Sequence, residues 1–314
     1  MNAVLVRSTV VTGLSLGATA AALWTARCQS TLPSLTSMRL RVGTYNLLCP
    51  TYGVKWGERE ACLDWRSKHE HGLSNWELRW PALLRVIQAA PWDLLALEEL
   101  EDGTRADVEA ACDGLGLRLV WFPHPGRCDA LGLAYNPQAL RAEESASWGY
   151  PTGAPRATSG RVDFRHLQTG RLVRAAVTHQ RGGVSEQWDD LMGFVTRDAA
   201  EEATCIICGD MNEDFGSVAS GAGNQQMRGF VSLDRDAAAG ESLVSRPPHK
   251  MTSDQSSGKG KIDYVLVRPP NGAAVVFERD EASRRAMALA HGPCDETGQW
   301  PSDHDIEAVS LTVS

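Results

Sequence analysis

Several polar side chains that could bind a metal ion or move a proton stand at the ends of apolar runs in this sequence. The stretch CGDMN shows the pattern, because the apolar run at 204–207 leads into an aspartate and an asparagine two positions apart. Side chains alternate across a strand, so Asp210 and Asn212 point the same way if the extended backbone continues that far. A turn or a cap accounts for the same two residues, since Asp and Asn suit chain reversals.

The pattern recurs along the chain. The residues at predicted strand ends are Asn46, Glu98 or Glu99, His179, Asp210, Asn212, Asp263, Asp303 and His304. Each alone is explained as well by a turn, a cap or a hydrogen-bonded edge histidine. Together they are oxygen ligands, amides and imidazoles, which suit Mg²⁺ or Mn²⁺, whereas a Zn²⁺ site needs more His and Cys at close spacing. The set therefore predicts a divalent metal site rich in oxygen ligands.

Short apolar runs, separated by helical or Gly- and Pro-rich stretches, must position these residues. MRLRVGTYN alternates apolar and basic residues, which predicts a strand ending at Asn46. NWELRWPALLRVIQAA carries apolar residues at helical spacing, which predicts an amphipathic helix that Pro91 stops. The other predicted strands are DLLALEEL, LRLVWF, LGLAYN, RLVRAAVTH, ATCIICGDMN, KIDYVLVRP and SDHDIEAVSLTV. The last of them would begin with Asp303 and His304, and 145–160 and 216–229 are predicted loops.

Two adjacent glutamates end the predicted strand DLLALEEL. The buried run at 94–97 leaves no gap for a bulge, so alternation puts Glu98 and Glu99 on opposite faces. Only one of the two carboxylates would then face a metal ion.

Composition sets the bounds of these interpretations. The chain has 314 residues, 43% of them hydrophobic and 22% charged, as in ordinary globular proteins. The net charge of −8 disfavours a broad basic face that coats duplex nucleic acid, although a local basic groove stays compatible with it. Eight scattered cysteines exclude a dense disulfide framework. Cys205 and Cys208 would face opposite sides of a strand, so we predict buried free thiols there.

The first 38 residues differ from the rest, since they contain two arginines, several Ser and Thr, and no acidic residue. This composition predicts a targeting or anchor segment at 1–38, outside the fold, and the pattern of strands and helices after it predicts one compact α/β domain at 39–314. A transit peptide for a mitochondrion or plastid fits it, and a secretory signal or membrane anchor fits the apolar stretch at 10–24 nearly as well. That stretch is too short and too rich in Gly, Ala and Thr for a stable membrane span.

The ordered set of motifs resembles the endonuclease/exonuclease/phosphatase superfamily of metal-dependent phosphodiesterases. The motifs are TYNLLCPTYG, the stretch NWELRWPALLRVIQAAPWDLLALEELE, GLAYNP, VTHQ, CGDMN, KIDYVLV and PSDH, in order between residues 40 and 312. YNLLCPTYG and the Trp-Glu-Leu-Arg stretch most resemble the deadenylase and nocturnin-like branch. The resemblance implies a four-layered α/β sandwich, in which two packed β-sheets are flanked by helices and the site lies at one rim.

The resemblance also implies a role for each residue at the strand ends. Asn46 and Glu99 would hold the divalent ion, and Asp210 would position or deprotonate the attacking water. Asn212 would steady the phosphate, and His179 would bind a non-bridging oxygen. Asp263 and His304 would form a carboxylate–imidazole pair, with Asp303 beside the metal or the leaving group. Lys259 and Lys261 in SSGKGK could reach a phosphate, or could lie in a solvated loop.

These features predict a Mg²⁺-dependent phosphodiesterase, with Mn²⁺ as a substitute, that acts on RNA or a nucleotide. A 3′ exonuclease or deadenylase is the form that the resemblance favours. A phosphodiesterase or phosphatase for a phospholipid, sphingolipid or inositol phosphate is the alternative with the same fold. A non-catalytic binding module that kept the fold is the alternative of another class. Glu98 departs from the family pattern, which has glutamine there, and this departure bears on the substrate rather than on the reaction.

Overall fold

The computed structural model describes residues 37–52, 75–150, 158–180, 185–212, 229–232, 263–291 and 301–314. One compact unit begins at Met38. The predicted targeting or anchor segment at 1–38 lies outside the described residues except for its last two positions, and Lys259 and Lys261 lie outside them too. Within the part of the chain that the structure describes, no helix is long and apolar enough to cross a membrane.

Eleven strands and four α-helices of the described residues build the fold. The strands are β1 Met38–Asn46, β2 Leu94–Glu101, β3 Arg118–Pro123, β4 Asp129–Tyr135, β5 Leu140–Gly149, β6 Thr158–His166, β7 Leu172–His179, β8 Thr204–Asp210, β9 Asp263–Arg268, β10 Val275–Glu278 and β11 Glu307–Val313. The helices are α1 Trp76–Ile87, α2 Arg105–Gly114, α3 Ser185–Thr196 and α4 Glu281–Ala290, and a 3₁₀ turn spans Asp102–Thr104.

The strands form two mixed sheets. Sheet one has the order β10-β11-β1-β2-β4-β3, and sheet two has the order β5-β6-β7-β8-β9. A core of apolar residues from both sheets lies between them, including Val42, Leu133, Val177 and Val265. Burial of apolar area of this kind is the main favourable term in folding.

Helices cover the outer faces of the sheets. Residues of α1, α2 and α4, such as Leu83, Val108 and Ala286, share a buried cluster with the outer side of sheet one. Residues of α3, such as Leu191, share another with the outer side of sheet two. The order of layers is therefore helix, sheet, sheet, helix, and the predicted α/β sandwich is confirmed.

Most predicted strands are confirmed, and the corrections concern strands β5, β6 and β11 and helix α1. Residues 145–149 and 158–160, predicted as parts of a loop, belong to β5 and β6. Strand β11 begins only at Glu307, so Asp303 and His304 precede the last strand rather than open it. The helix α1 ends at Ile87, before Pro91.

The cysteine prediction is confirmed. Cys205 and Cys208 are both free and buried. Cys205 packs in the cluster under α3, whereas Cys208 packs in the core between the sheets.

The prediction that Glu98 and Glu99 point to opposite faces is wrong. The pairing of β2 with β4 shifts register between Leu97 and Leu100, which is a β-bulge, and Glu99 has a φ of 56°. Glu98 accepts a hydrogen bond from Thr44 on the inner face of sheet one, and Glu99 accepts one from Asn46 on that face. The extra residue of the bulge therefore turns both carboxylates towards the space between the sheets.

Candidate active site

One edge of the sandwich gathers the polar strand ends. In sheet one, β1 runs parallel to β2 and places Asn46 beside Glu98. In sheet two, His179 pairs with Asp210 and Asp210 pairs with Asp263, across three neighbouring strands. Because the two sheets pack face to face, these two rows of polar residues face each other at the same edge.

His304 and Asp263 form a buried pair at this edge. The Nδ1 atom of His304 lies 2.9 Å from Oδ2 of Asp263, and the two residues are 3% and 0% exposed. Burial alone lowers the pKa of His304, but the carboxylates of Asp263, Asp303 and Asp210 raise it to about 10. The imidazole is therefore a cation at neutral pH, and Asp263 sets its orientation by accepting from Nδ1.

Asp210 lies at the centre of the site. Its Oδ2 atom lies 3.6 Å from Nε2 of His304 and 3.6 Å from Nε2 of His179. The same Oδ2 accepts a hydrogen bond of 3.2 Å from Nδ2 of Asn46. A carboxylate in contact with two imidazoles and an amide can take or hold a proton between the sheets.

Glu99 links sheet one to His179. Its Oε1 accepts from Nδ2 of Asn46 at 3.0 Å and lies 3.8 Å from Nε2 of His179. Burial raises the pKa of Glu99, while His179 lowers it. In this orientation the amide nitrogen of Asn46 faces the carboxylates, and its oxygen accepts from the backbone N–H of Leu48 at 2.9 Å. That Asn46 holds a metal ion stays a prediction.

Glu98 lies beneath the site. Its Oε1 accepts a 2.7 Å hydrogen bond from the hydroxyl of Thr44, and its Oε2 is buried without a hydrogen-bond partner among the described residues. Burial raises the pKa of Glu98 well above its usual range, and the charges of Asp263 and Asp210 raise it further. A neutral carboxylic acid carries one O–H donor, as the glutamine of the family pattern carries an N–H donor.

Strand β8 ends at Asp210, so Asn212 does not continue its extended backbone. Asn212 has a φ of 51°, and its N–H donates to Oδ1 of Asp210 at 2.7 Å. Its side-chain Nδ2 donates to the carbonyl of Gln180 at 2.9 Å. The turn interpretation thus describes the backbone here, and the phosphate contact of Asn212 stays a prediction.

The donor atoms at this edge suit a divalent ion. One atom each from Asp210, Asp263 and His304 lie within 4.8 Å of one another, and all three residues are buried. Glu99 and Asp303 add two more buried carboxylates, which are 9% and 7% exposed. Buried carboxylates at such spacing repel one another, and a bound divalent cation would relieve that repulsion.

Two residues that hold the site together, Arg79 and Ser302, were not among the predicted site residues. Both are 0% exposed and both bind backbone carbonyls beside the site. A signal for Arg79 was present, because it lies three positions after Trp76 and therefore falls on the apolar face of the predicted helix.

Comparisons with known proteins agree with this architecture. The sequence matches the Endonuclease/Exonuclease/phosphatase family over residues 43–304. A comparison with curated proteins gives no match. Among solved structures, the human Nocturnin catalytic domain with bound sulfate anion is 17% identical with a TM-score of 0.57, and the match covers 90% of this chain and 99% of that one.

Two further structures are similar. ANGEL2, a 2′,3′-cyclic phosphatase, is 14% identical with a TM-score of 0.60, covering 88% of this chain and 96% of that one. TDP2 of D. rerio, complexed with single strand DNA product, is 15% identical with a TM-score of 0.60, covering 88% of this chain and 99% of that one. At these identities the likeness establishes a shared fold.

Proposed function

Because this chain belongs to the Endonuclease/Exonuclease/phosphatase family of metal-dependent phosphoesterase hydrolases, we propose that it is a Mg²⁺-dependent phosphodiesterase acting on RNA or a nucleotide. For an RNA substrate, the proposed reaction is removal of nucleotides from the 3′ end. The fold relatives support this substrate class, since one is a 2′,3′-cyclic phosphatase and one holds a single-stranded DNA product.

The observation that carries the proposal is the buried pair of His304 and Asp263, which lies beside Asp210 between the sheets. Asp263 binds Nδ1 at 2.9 Å, which leaves the Nε2–H to face the space beside Asp210. A fixed cation in a site of low dielectric stabilises the charge that develops on a phosphate oxygen during attack. His179 lies across Asp210 from His304 and offers a second imidazole to the phosphate.

Asp210 is the residue that we assign to the attacking water. Its Oδ1 is fixed by the N–H of Asn212, and its Oδ2 is held among Asn46, His179 and His304. A carboxylate held on both oxygens can orient a water molecule towards phosphorus and accept its proton as the oxygen–phosphorus bond forms.

We assign the metal position to the side of the site that Glu99 lines, with Mn²⁺ as a substitute for Mg²⁺. Glu99 and Asp303 offer buried carboxylate oxygens on that side, and Asn46 lies beside Glu99. The bound ion would supply positive charge to the phosphate oxygens and to the leaving oxygen.

A turnover screen tests the proposal. The purified full-length chain with Mg²⁺ is incubated with poly(A), single- and double-stranded DNA, NADP and sphingomyelin, before and after EDTA and after the metal is restored. We expect hydrolysis of poly(A) or NADP that EDTA abolishes and Mg²⁺ restores. The Asp210→Asn variant, purified in parallel, controls for a contaminating nuclease.

Each other outcome contradicts a stated part of the proposal. Turnover of sphingomyelin alone would assign a lipid substrate instead. Full activity after exhaustive chelation would remove the metal from the mechanism.

We also propose that residues 1–38 target or anchor the chain and that catalysis needs only 39–314. The predicted site residues all lie beyond this segment. A chain starting at Met38 should keep the turnover of the full chain, and residues 1–38 fused to a fluorescent protein should carry it to mitochondria or plastids. A diffuse fluorescent signal would contradict the targeting role, and an inactive but folded truncation would contradict the boundary.

A further inference from the structure

Arg79 is a fully buried charged residue on helix α1 whose donors leave the helix and bind loops at the site. Its Nη1 donates to the carbonyl of Leu47 at 2.9 Å and to that of Pro301 at 2.7 Å. Its Nη2 donates to the carbonyl of Leu48 at 2.6 Å. Burying an arginine is costly unless its donors are satisfied, and these three contacts offset part of that cost, while Nε is buried without a partner among the described residues.

Two of the three carbonyls belong to the turn that follows Asn46. Leu48 has a φ of 53°, which a leucine adopts only when its surroundings hold it there. In that conformation its N–H donates to Oδ1 of Asn46 at 2.9 Å, and the next N–H, of Cys49, donates to Oε2 of Glu99 at 3.2 Å. The turn therefore orients the two residues predicted to hold the metal ion.

The third carbonyl belongs to the segment that carries His304. Pro301 precedes Ser302, whose hydroxyl donates to the carbonyl of Asn46 at 2.6 Å. The N–H of His304 donates to the hydroxyl oxygen of Ser302 at 3.2 Å. Through Arg79 and Ser302, the segment that carries the charged imidazole is fastened to the turn beside Asn46.

We infer that Arg79 is a positioning residue, which fixes the turn that follows Asn46 and contacts Glu99 against the segment of Asp303 and His304. The inference rests on the proposed function for its catalytic consequence, while its effect on metal binding is independent of turnover. The residues beside Asn46 and those beside His304 must keep a fixed separation if a phosphate is to contact both groups at once.

The shape of the guanidinium explains why an arginine does this. Its planar fork directs two nitrogens at three carbonyls on two loops, whereas the ammonium of a lysine is one point with a single nitrogen. Burial lowers the pKa of Arg79 to about 10, so the group keeps its charge at neutral pH, and the Trp76 ring lies 5.6 Å from the guanidinium carbon. The charge also faces Asp303, which raises the pKa of Arg79.

The test compares Arg79→Lys with Arg85→Lys in the full-length chain. Arg85 lies on the same helix and is exposed, so its substitution controls for the change of side chain. Calorimetric titration with Mn²⁺ alone, thermal unfolding, and kcat and KM with the substrate found in the screen are measured for each. For Arg79→Lys we expect Mn²⁺ affinity about 10-fold weaker and kcat lowered about 10-fold or more, with KM changed less than about twofold. Arg85→Lys should match the wild type.

Ser302→Ala tests the same contact between the two loops if Arg79→Lys does not fold. It removes the other tie between the loops, and we expect the same weaker Mn²⁺ binding and lower kcat. Where both variants fold, their combination should lose less than the sum of the single losses, because both changes release the same loop. An Arg79→Lys chain that melts earlier but binds Mn²⁺ and turns over as the wild type does would overturn the inference. A wild type without turnover would contradict the proposed function, and the Mn²⁺ titrations would still decide the role of Arg79.

Discussion

His304 and Asp263 stand 41 positions apart in the sequence, and their Nδ1 and Oδ2 atoms lie 2.9 Å apart in the folded chain. Both side chains are buried, which alone would favour a neutral imidazole. The carboxylates around it reverse that preference and raise the pKa of His304 to about 10. The site therefore carries a permanent cation over the whole neutral pH range.

Asp263→Asn should shift the pH dependence of turnover. Removal of the charge that most favours the imidazolium lowers the pKa of His304 towards its ordinary value of 6.5. Activity should then fall as the pH rises through about 7, whereas the wild type keeps its activity until the pH approaches 10. Profiles of kcat/KM against pH, from 5 to 10, measure the difference.

Asp305→Asn is the matched control for that change, since Asp305 is buried next to His304 but bonds to the exposed His291. Its pH profile should follow the wild type. The raised pKa of His304 also increases the free energy of unfolding. This contribution is complete below about pH 6.5 and is lost as the pH rises through about 10. A profile for Asp263→Asn that matches the wild type would show that the imidazolium has no part in the reaction.

Asp210→Asn should lower kcat by about 10² or more while the chain still folds. The amide keeps the shape of the carboxylate but cannot accept the proton of the attacking water. Asp198→Asn, an exposed substitution on the turn after α3, should leave kcat unchanged. If Asp210→Asn instead melted early with its turnover intact, Asp210 would be a structural cap of β8.

Glu99→Gln and Glu98→Gln form a matched pair on adjacent positions. Glu99→Gln should weaken Mg²⁺ affinity strongly and cut turnover by orders of magnitude, because it removes a charged oxygen donor. Glu98→Gln should be mild, because burial already raises the pKa of Glu98 and favours a neutral side chain there. Metal titration followed by activity measurement separates them, and the opposite ranking would exchange the two roles.

Gly209→Ala should destabilise the chain by about 3 kcal/mol or more. Gly209 has a φ of 149°, and an added Cβ would lie 1.9 Å from the carbonyl oxygen of Thr178 on β7. Gly103→Ala is the control, since its Cβ would meet no atom within 4 Å, and its effect should stay within about 0.5 kcal/mol. Chemical denaturation measures both; equal stability of the two variants would contradict this account of β7 and β8 packing.

Most strands of the sandwich could be predicted from the sequence, because their apolar runs are continuous where layers cover both faces of the sheet. Residues 94–97 and 205–208 are such runs, and both lie in strands that are buried on both faces. Strand β5 was missed because most of its residues are exposed and polar, so neither alternation nor an apolar run marks it. Four of the polar residues at this edge could be expected from their order, since Asn46, His179, Asp210 and Asp263 each lie at the end of a strand. Asn212, Asp303 and His304 lie outside the strands, and the roles of all seven stay predictions.

The geometry at Glu98 and Glu99 could not be predicted, because no local signal marks a bulge with a glutamate at a φ of 56°. Such a conformation is unfavourable for the isolated chain and is held by contacts made in the folded one, here by Asn46 and by the N–H of Cys49. The contacts of Arg79 could not be predicted either, because its partners Leu47 and Pro301 are 32 and 222 positions away. Contacts of that separation follow from the fold rather than from spacing.

The pairing of β1 with β11 joins two segments of the chain that leave the ribosome at different times. Strand β1 is flanked by β2 and by β11, so one of its two neighbours is missing until Val313 has left the ribosome. His304 lies just before β11 in the chain, as does Ser302, which binds the carbonyl of Asn46 from 256 positions away. A nascent chain that ends at residue 300 should therefore cleave nothing, and hydrolysis of phosphodiester bonds by such a fragment would refute this. Sheet one therefore cannot be completed, and the proposed site cannot form, until residues 38–46 and 302–313 are both present.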